Sequence, residues 1–207
     1  MARDHELEAR QMRVMLAGLT AALALLMAAC GDDSNARART ATLPADGAVT
    51  ATATAFTLRS DAFPDGATIP LKYTCSGNNI SVPLAWAGAP AATQAFALIM
   101  DDPDAPLAGG FVHWVVYDLP ANVSSLPEGV PEGDRIAGGG TQGANGRGTR
   151  AYTGPCPPPG APHHYSFRLF ALDAPLGLAA GATRAEVEAA MQGHTLAQAM
   201  LTGLFGR

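Results

Sequence analysis

Charge is scarce in this sequence, and positive charge scarcer still. Of 207 residues only 15% are Asp, Glu, Lys or Arg, with 13 basic against 18 acidic side chains and a formal net charge of -5. A protein that neutralises nucleic-acid phosphates needs a basic face, so this balance argues against a nucleic-acid partner. No apolar run reaches the roughly 20 residues of a membrane-spanning helix. There is no HExxH or CxxC spacing for a metal, no GxSxG elbow for a serine nucleophile, and no internal repeat. Cysteine is limited to three residues, Cys30, Cys75 and Cys156.

What is present begins with a leader. In "MRVMLAGLTAALALLMAAC" the basic Arg13 precedes an apolar stretch from Val14 to Met27 that ends in Ala28 and Ala29, the pattern of a secretory signal. The preceding "MARDHELEARQ" is charged and unlike a signal, which makes Met12 a candidate start. "LMAAC" resembles the lipobox of bacterial lipoproteins, with Met27 where leucine is usual, and implies that Cys30 is lipidated as the first mature residue. Parity then leaves Cys75 and Cys156 as a pair, which an oxidising compartment closes. From Gly31 to about Ala55 the chain lacks aromatic residues and periodicity and reads as a disordered tether. The expected organisation is a signal over 1–29, a lipidated cysteine and tether over 30–55, and a globular domain over 56–207. Such a chain is expected on the periplasmic side of the cell envelope, held to a membrane by its lipid.

From Phe56 onward, short apolar runs alternate with Gly, Pro and Asn clusters, which predicts a mainly β domain, an antiparallel sandwich with long Pro/Gly loops. Strands are expected at "FTLRS", "IPLKYT", "PLAWAG", "AFALIMDD", "FVHWVVYDLP" and "YSFRLFALD". A period of two puts Phe96, Leu98, Met100 and Asp102 on one face, and Tyr165, Phe167 and Leu169 on another. The same rule groups Phe111, His113, Val115 and Tyr117. Two C-terminal helices are expected. "TRAEVEAAMQG" has Thr183 and Glu186 at capping-box spacing with Gly193 as its stop, and "TLAQAMLTGLF" carries a Leu196, Met200, Leu204 stripe. The long segment between the last two strands, "EGVPEGDRIAGGGTQGANGRGTRAYTGPCPPPGAP", is expected to form a site in its last third, while "GGGTQGANGRG" fits an ordered and a mobile path equally.

Chemistry concentrates in "DDPDAPLAGGFVHW" and "HHY", where Asp102, Asp104, His113, His163, His164 and Tyr165 are brought within reach by strand ends. Four readings stand. His113 and His163 with Asp102 or Asp104 form a ligand set for zinc or iron, and Asp102, His113 and His163 together suit a hydrolase or metal-dependent enzyme. Asp102 with Asp104 has the carboxylate pair of glycoside chemistry. Imidazole N–H, tyrosine O–H and loop amides suit capture of an anion, with a carboxylate fixing the histidine tautomer. The fourth reading makes the aspartates turn formers around Pro103 and Pro106, and His113 a core histidine. A histidine on an apolar strand face needs a polar partner, and Asp102 is the expected one.

"DPDAP" followed by "HW", then "GPCPPPGAPHHYSFRLFALD", with "YTCSGNNISVPLAW" before them, resembles the phosphatidylethanolamine-binding protein family, in its bacterial Raf kinase inhibitor-like branch. The resemblance covers about Phe56 to Arg207. It implies two antiparallel sheets with terminal helices and a small anion pocket. Asp102, Asp104, His113, His163 and Tyr165 would line that pocket, Pro106 and Trp114 would support its wall, and the Gly154 loop would offer backbone N–H donors. It implies no cofactor and no catalytic residue. The expected partners are a phosphate-type anion or a phospholipid head group, and a protease or other envelope protein that the chain modulates; export places cytosolic kinases out of reach. Ala151 and Thr153 stand where bacterial relatives commonly carry glycines, and Val82 where proline is usual.

Overall fold

The computed structural model describes residues 55–207. The leader, Cys30 and nearly all of the tether lie outside these residues. Two antiparallel sheets face each other. The smaller is ordered β1–β2–β5, from β1 (Thr57–Arg59), β2 (Leu84–Ala87) and β5 (Ser125–Leu126). The larger is ordered β6–β4–β3–β7–β8, from β6 (Thr141–Gln142), β4 (Phe111–Pro120), β3 (Ala95–Asp102), β7 (His163–Leu172) and β8 (Thr195–Phe205). Among the described residues one α-helix, α1 (Arg184–Ala190), begins at the Thr183–Glu186 capping box read from the sequence.

Both faces of the large sheet are covered. Phe96, Leu98, Met100, Phe167 and Leu169 meet Leu58, Leu84, Trp86 and Leu126 of the small sheet in the main core. On the other face Ala97, Ile99, Val115, Tyr117 and Phe170 pack under Val187 of α1 and under Met191. This double burial explains why β3 reads as a nearly unbroken apolar run rather than an alternating one.

Two expected elements differ. "IPLKYT" is no strand; Leu71–Tyr73 forms a 3-10 turn. "TLAQAMLTGLF" is not a helix but β8, paired with β7 over ten positions from His163 opposite Phe205 to Leu172 opposite Thr195. A spacing of four holds a residue on one face of a helix, and four is also even, so it holds that residue on one face of a strand. Leu196 and Met200 lie on the outer face of β8, 40% and 58% exposed, while the odd-numbered Ala199, Leu201 and Phe205 enter the core.

Candidate functional site

The site forms where the ends of β3, β4 and β7 meet the loop before β7. Pro103 ends the β3 ladder, and Asp102 turns the chain with its own side chain. Its Oδ1 accepts the N–H groups of Asp104 at 2.9 Å and Ala105 at 3.0 Å. Its Oδ2 accepts from Nδ1 of His163 at 2.8 Å. Asp102 is only 3% exposed, and these three donors offset the cost of burying its charge. With Nδ1 committed, Nε2 is the free polar atom of His163.

His113 is placed by a bulge. Met100 pairs with Trp114 and Asp101 with Val112, so His113 is an extra residue in the ladder. The bulge breaks the face expected from simple alternation. Phe111 and His113 line the site, Trp114 and Val116 enter the core between the sheets, and Val115 and Tyr117 pass to the helix side. Asp102 does not orient His113. The Nδ1 of His113 lies 2.6 Å from the Thr153 carbonyl, which only accepts, so Nδ1 carries the proton. Thr153 returns its own N–H to the His113 carbonyl at 2.9 Å. Burial holds the His113 pKa below its ordinary value, against the opposing pull of the Thr153 carbonyl and of Asp102 and Asp101.

Tyr165 lies beneath, fully buried, its ring 5.2 Å from that of His113. Its hydroxyl has no hydrogen-bond partner. Burial pushes its pKa up, and the nearby Asp102 carboxylate adds to the rise without meeting hydrogen-bond geometry. Two other residues named from the sequence stand outside the cavity. Trp114 is a core residue whose Nε1 donates to Gln142 Oε1 at 2.9 Å. Asp104 turns to solvent and accepts from the backbone N–H and Nδ1 of His164, which hold its carboxyl below the usual range.

The remaining wall is the loop at Gly154. Cys75 and Cys156 are joined, with Cα atoms 5.4 Å apart. Tyr152 donates its hydroxyl to the Tyr73 carbonyl at 2.8 Å, and the Cys75 N–H donates to the Pro155 carbonyl at 3.1 Å. Gly154 sits against the Tyr73 carbonyl with no room for a side chain. Its N–H is not offered to a ligand, because Asn79 Oδ1 takes it at 2.8 Å. Gly160 donates to the Arg207 carbonyl. Four of the residues from 154 to 160 are prolines without an N–H, so Cys156 is the one amide of this loop left over.

Together these segments enclose a cavity of about 290 Å3. Asp102, Pro106, His113, Gly154 and His163 line it as polar and supporting groups. Apolar Leu107, Phe111, Pro157 and Pro158, and the cation Arg147, complete it. Sequence reasoning does not name these last five as site residues: Leu107, Pro157, Pro158 and Arg147 lie in loops that carry no periodic signal, while strand period groups Phe111 with His113 without assigning it to the site. Among the described residues, no three His, Cys, Asp or Glu side chains converge as a metal site.

A family model described as phosphatidylethanolamine-binding protein matches residues 59–206. The chain belongs to the phosphatidylethanolamine-binding protein family. It is 48% identical over 150 residues to a UPF0098 protein of Methanothermobacter thermautotrophicus, covering 72% of this chain and 98% of that one. A UPF0098 protein of Mycobacterium bovis is 40% identical over 202 residues, 93% of this chain and 94% of its own length. Among solved structures, the family homolog CT736 of Chlamydia trachomatis superposes with a TM-score of 0.68 at 39% identity, over 74% of this chain and 98% of that one. YbcL of Escherichia coli, a member of the same family, gives 0.67 at 32% identity, over 73% and 98%. The departures from the family pattern at Ala151 and Thr153 fall within one bonded network. The Asn145 amide donates to both the Ala151 carbonyl and the Thr153 hydroxyl, and Val82 is a fully buried core residue.

Proposed function

We propose that this family member is an exported, lipid-anchored binding protein whose cavity takes a phosphate-type anion, free or carried on a phospholipid head group. The observation that carries the reading is the buried Asp102–His163 pair. Two amides and an imidazole engage the carboxylate, and it aligns His163 so that the protonated ring offers Nε2–H to an anion while its charge cancels that of Asp102. Tyr165, whose buried hydroxyl has no hydrogen-bond partner, packs its ring on His113 and stands outside the cavity lining. The family's description, phosphatidylethanolamine-binding, supports the same ligand class. Mostly apolar walls suit the organic part of such a ligand.

Binding without turnover is favoured because, among the described residues, no serine, threonine or cysteine side chain is hydrogen-bonded to His113 or His163, and Cys156 is spent in the disulfide. Export and anchoring rest on the leader and Cys30, and the Cys75–Cys156 bond supports an oxidising compartment. There the occupied or empty cavity would modulate a protease or another envelope protein. Calorimetry with inorganic phosphate and phosphoethanolamine tests the ligand class; both should release or absorb heat on binding to the native chain and lose affinity in His163→Ala. Absence of binding by either anion would overturn the reading. Cys30→Ser should move the protein from the membrane to the soluble fraction, and unchanged membrane association would refute the anchor.

A further inference from the structure

We propose that Arg147 sets the charge preference of this cavity, selecting a phosphomonoester dianion over a phosphodiester monoanion. The inference rests on the anion-binding reading above and narrows it. Arg147 is the one arginine or lysine lining the cavity, is exposed, and makes no ion pair among the described residues. It also borders a second, polar cleft of about 330 Å3, so it stands on the wall the two hollows share at Thr153 and Gly154.

Its backbone is held in place. Asn145, 5% exposed, accepts the N–H groups of Arg147 at 2.9 Å and Thr149 at 3.1 Å. Its amide nitrogen lies within 2.9 Å of Thr149 Oγ1, the Ala151 carbonyl and Thr153 Oγ1. Gly146 presses on Phe111, where an added Cβ would lie 2.6 Å from the ring. The segment whose order the sequence leaves open is therefore fastened at its turn, and Arg147 projects from a fixed point beside the cavity wall. Its charge reaches the interior, since it helps to lower the pKa of His113.

Charge accounting then favours a dianion. A neutral His163 that donates its Nδ1–H to Asp102 has only a lone pair at Nε2, so His163 donates to an anion as an imidazolium, whose charge then cancels that of Asp102. Arg147 is the one uncompensated cation of the lining and offers a planar fork to two phosphate oxygens. Attraction to a fixed cation scales with ligand charge, so the dianion gains more than the monoanion.

Calorimetry on the full chain at pH 7.5 and low salt, with methyl phosphate and dimethyl phosphate as probes, tests this. The wild type should bind methyl phosphate more tightly. Arg147→Ala should weaken methyl phosphate about tenfold and dimethyl phosphate about threefold or less, the loss of one charge-assisted contact. Arg147→Lys should recover part of the loss. A change under twofold for methyl phosphate, or equal losses for both probes, would overturn the inference while leaving the anion pocket standing. A wild type that binds neither probe would sink both.

Discussion

Removing the Cys75–Cys156 bond is the perturbation whose size follows most directly from the structure. The two cysteines are 81 residues apart in sequence. Releasing a loop of that length returns about 4.5 kcal/mol of conformational freedom to the unfolded chain at 25 °C in the chain-entropy model. The folded state should change far less. The Tyr152 hydroxyl to Tyr73, the Gly154 N–H to Asn79 and the Cys75 N–H to Pro155 hold the same two segments without help from sulfur. A Cys75→Ala/Cys156→Ala double variant should therefore fold to the same sandwich with its cavity intact. With a urea m-value of about 2 kcal/mol per molar for a domain of this size, its unfolding midpoint should fall by about 2 M at unchanged m. Phosphate affinity should fall by less than tenfold, because the wall stays in place. A midpoint shift below about 0.3 M would refute the loop-entropy reasoning. An intact midpoint with lost affinity would show that the bond acts on the cavity rather than on the unfolded chain.

Two further expectations concern residues of the wall. Burial holds native His113 below its ordinary pKa of 6.5, so the unfolded chain protonates this ring first as pH falls. Its contribution is fully present above about pH 6.5 and is lost as pH falls from there to the lower native value. His113→Gln should flatten that part of the curve, and equal urea-midpoint slopes for the two proteins between pH 7 and pH 5 would refute it. Gly154→Ala forces a Cβ onto the Tyr73 carbonyl and to 2.7 Å from Asn79 Oδ1, both stiffly held. Thermal or urea unfolding should show a loss of about 1–3 kcal/mol, whereas wild-type stability would mean that this loop yields freely.

Much of the frame follows from local pattern. Phe96, Leu98, Met100 and Asp102 share a face, as do Tyr165, Phe167 and Leu169, because side chains alternate along any regular strand. The capping box at Thr183 is a four-residue device and needs no distant partner. β8 was hidden because a spacing of four satisfies both helix and strand, and only the ladder to β7 chooses between them.

The site divides along the same line. Which residue types gather there is legible in "DPDAP", "HW" and "HHY", which carry all the acids and imidazoles involved. Who holds whom depends on the packing of distant segments. Asp102 takes His163, 61 residues away, and not His113, 11 residues away, because the bulge carries His113 past it to the Thr153 carbonyl. Arg147 joins the cavity because its loop lands on the sheet beside Phe111, and no period in the chain encodes that landing.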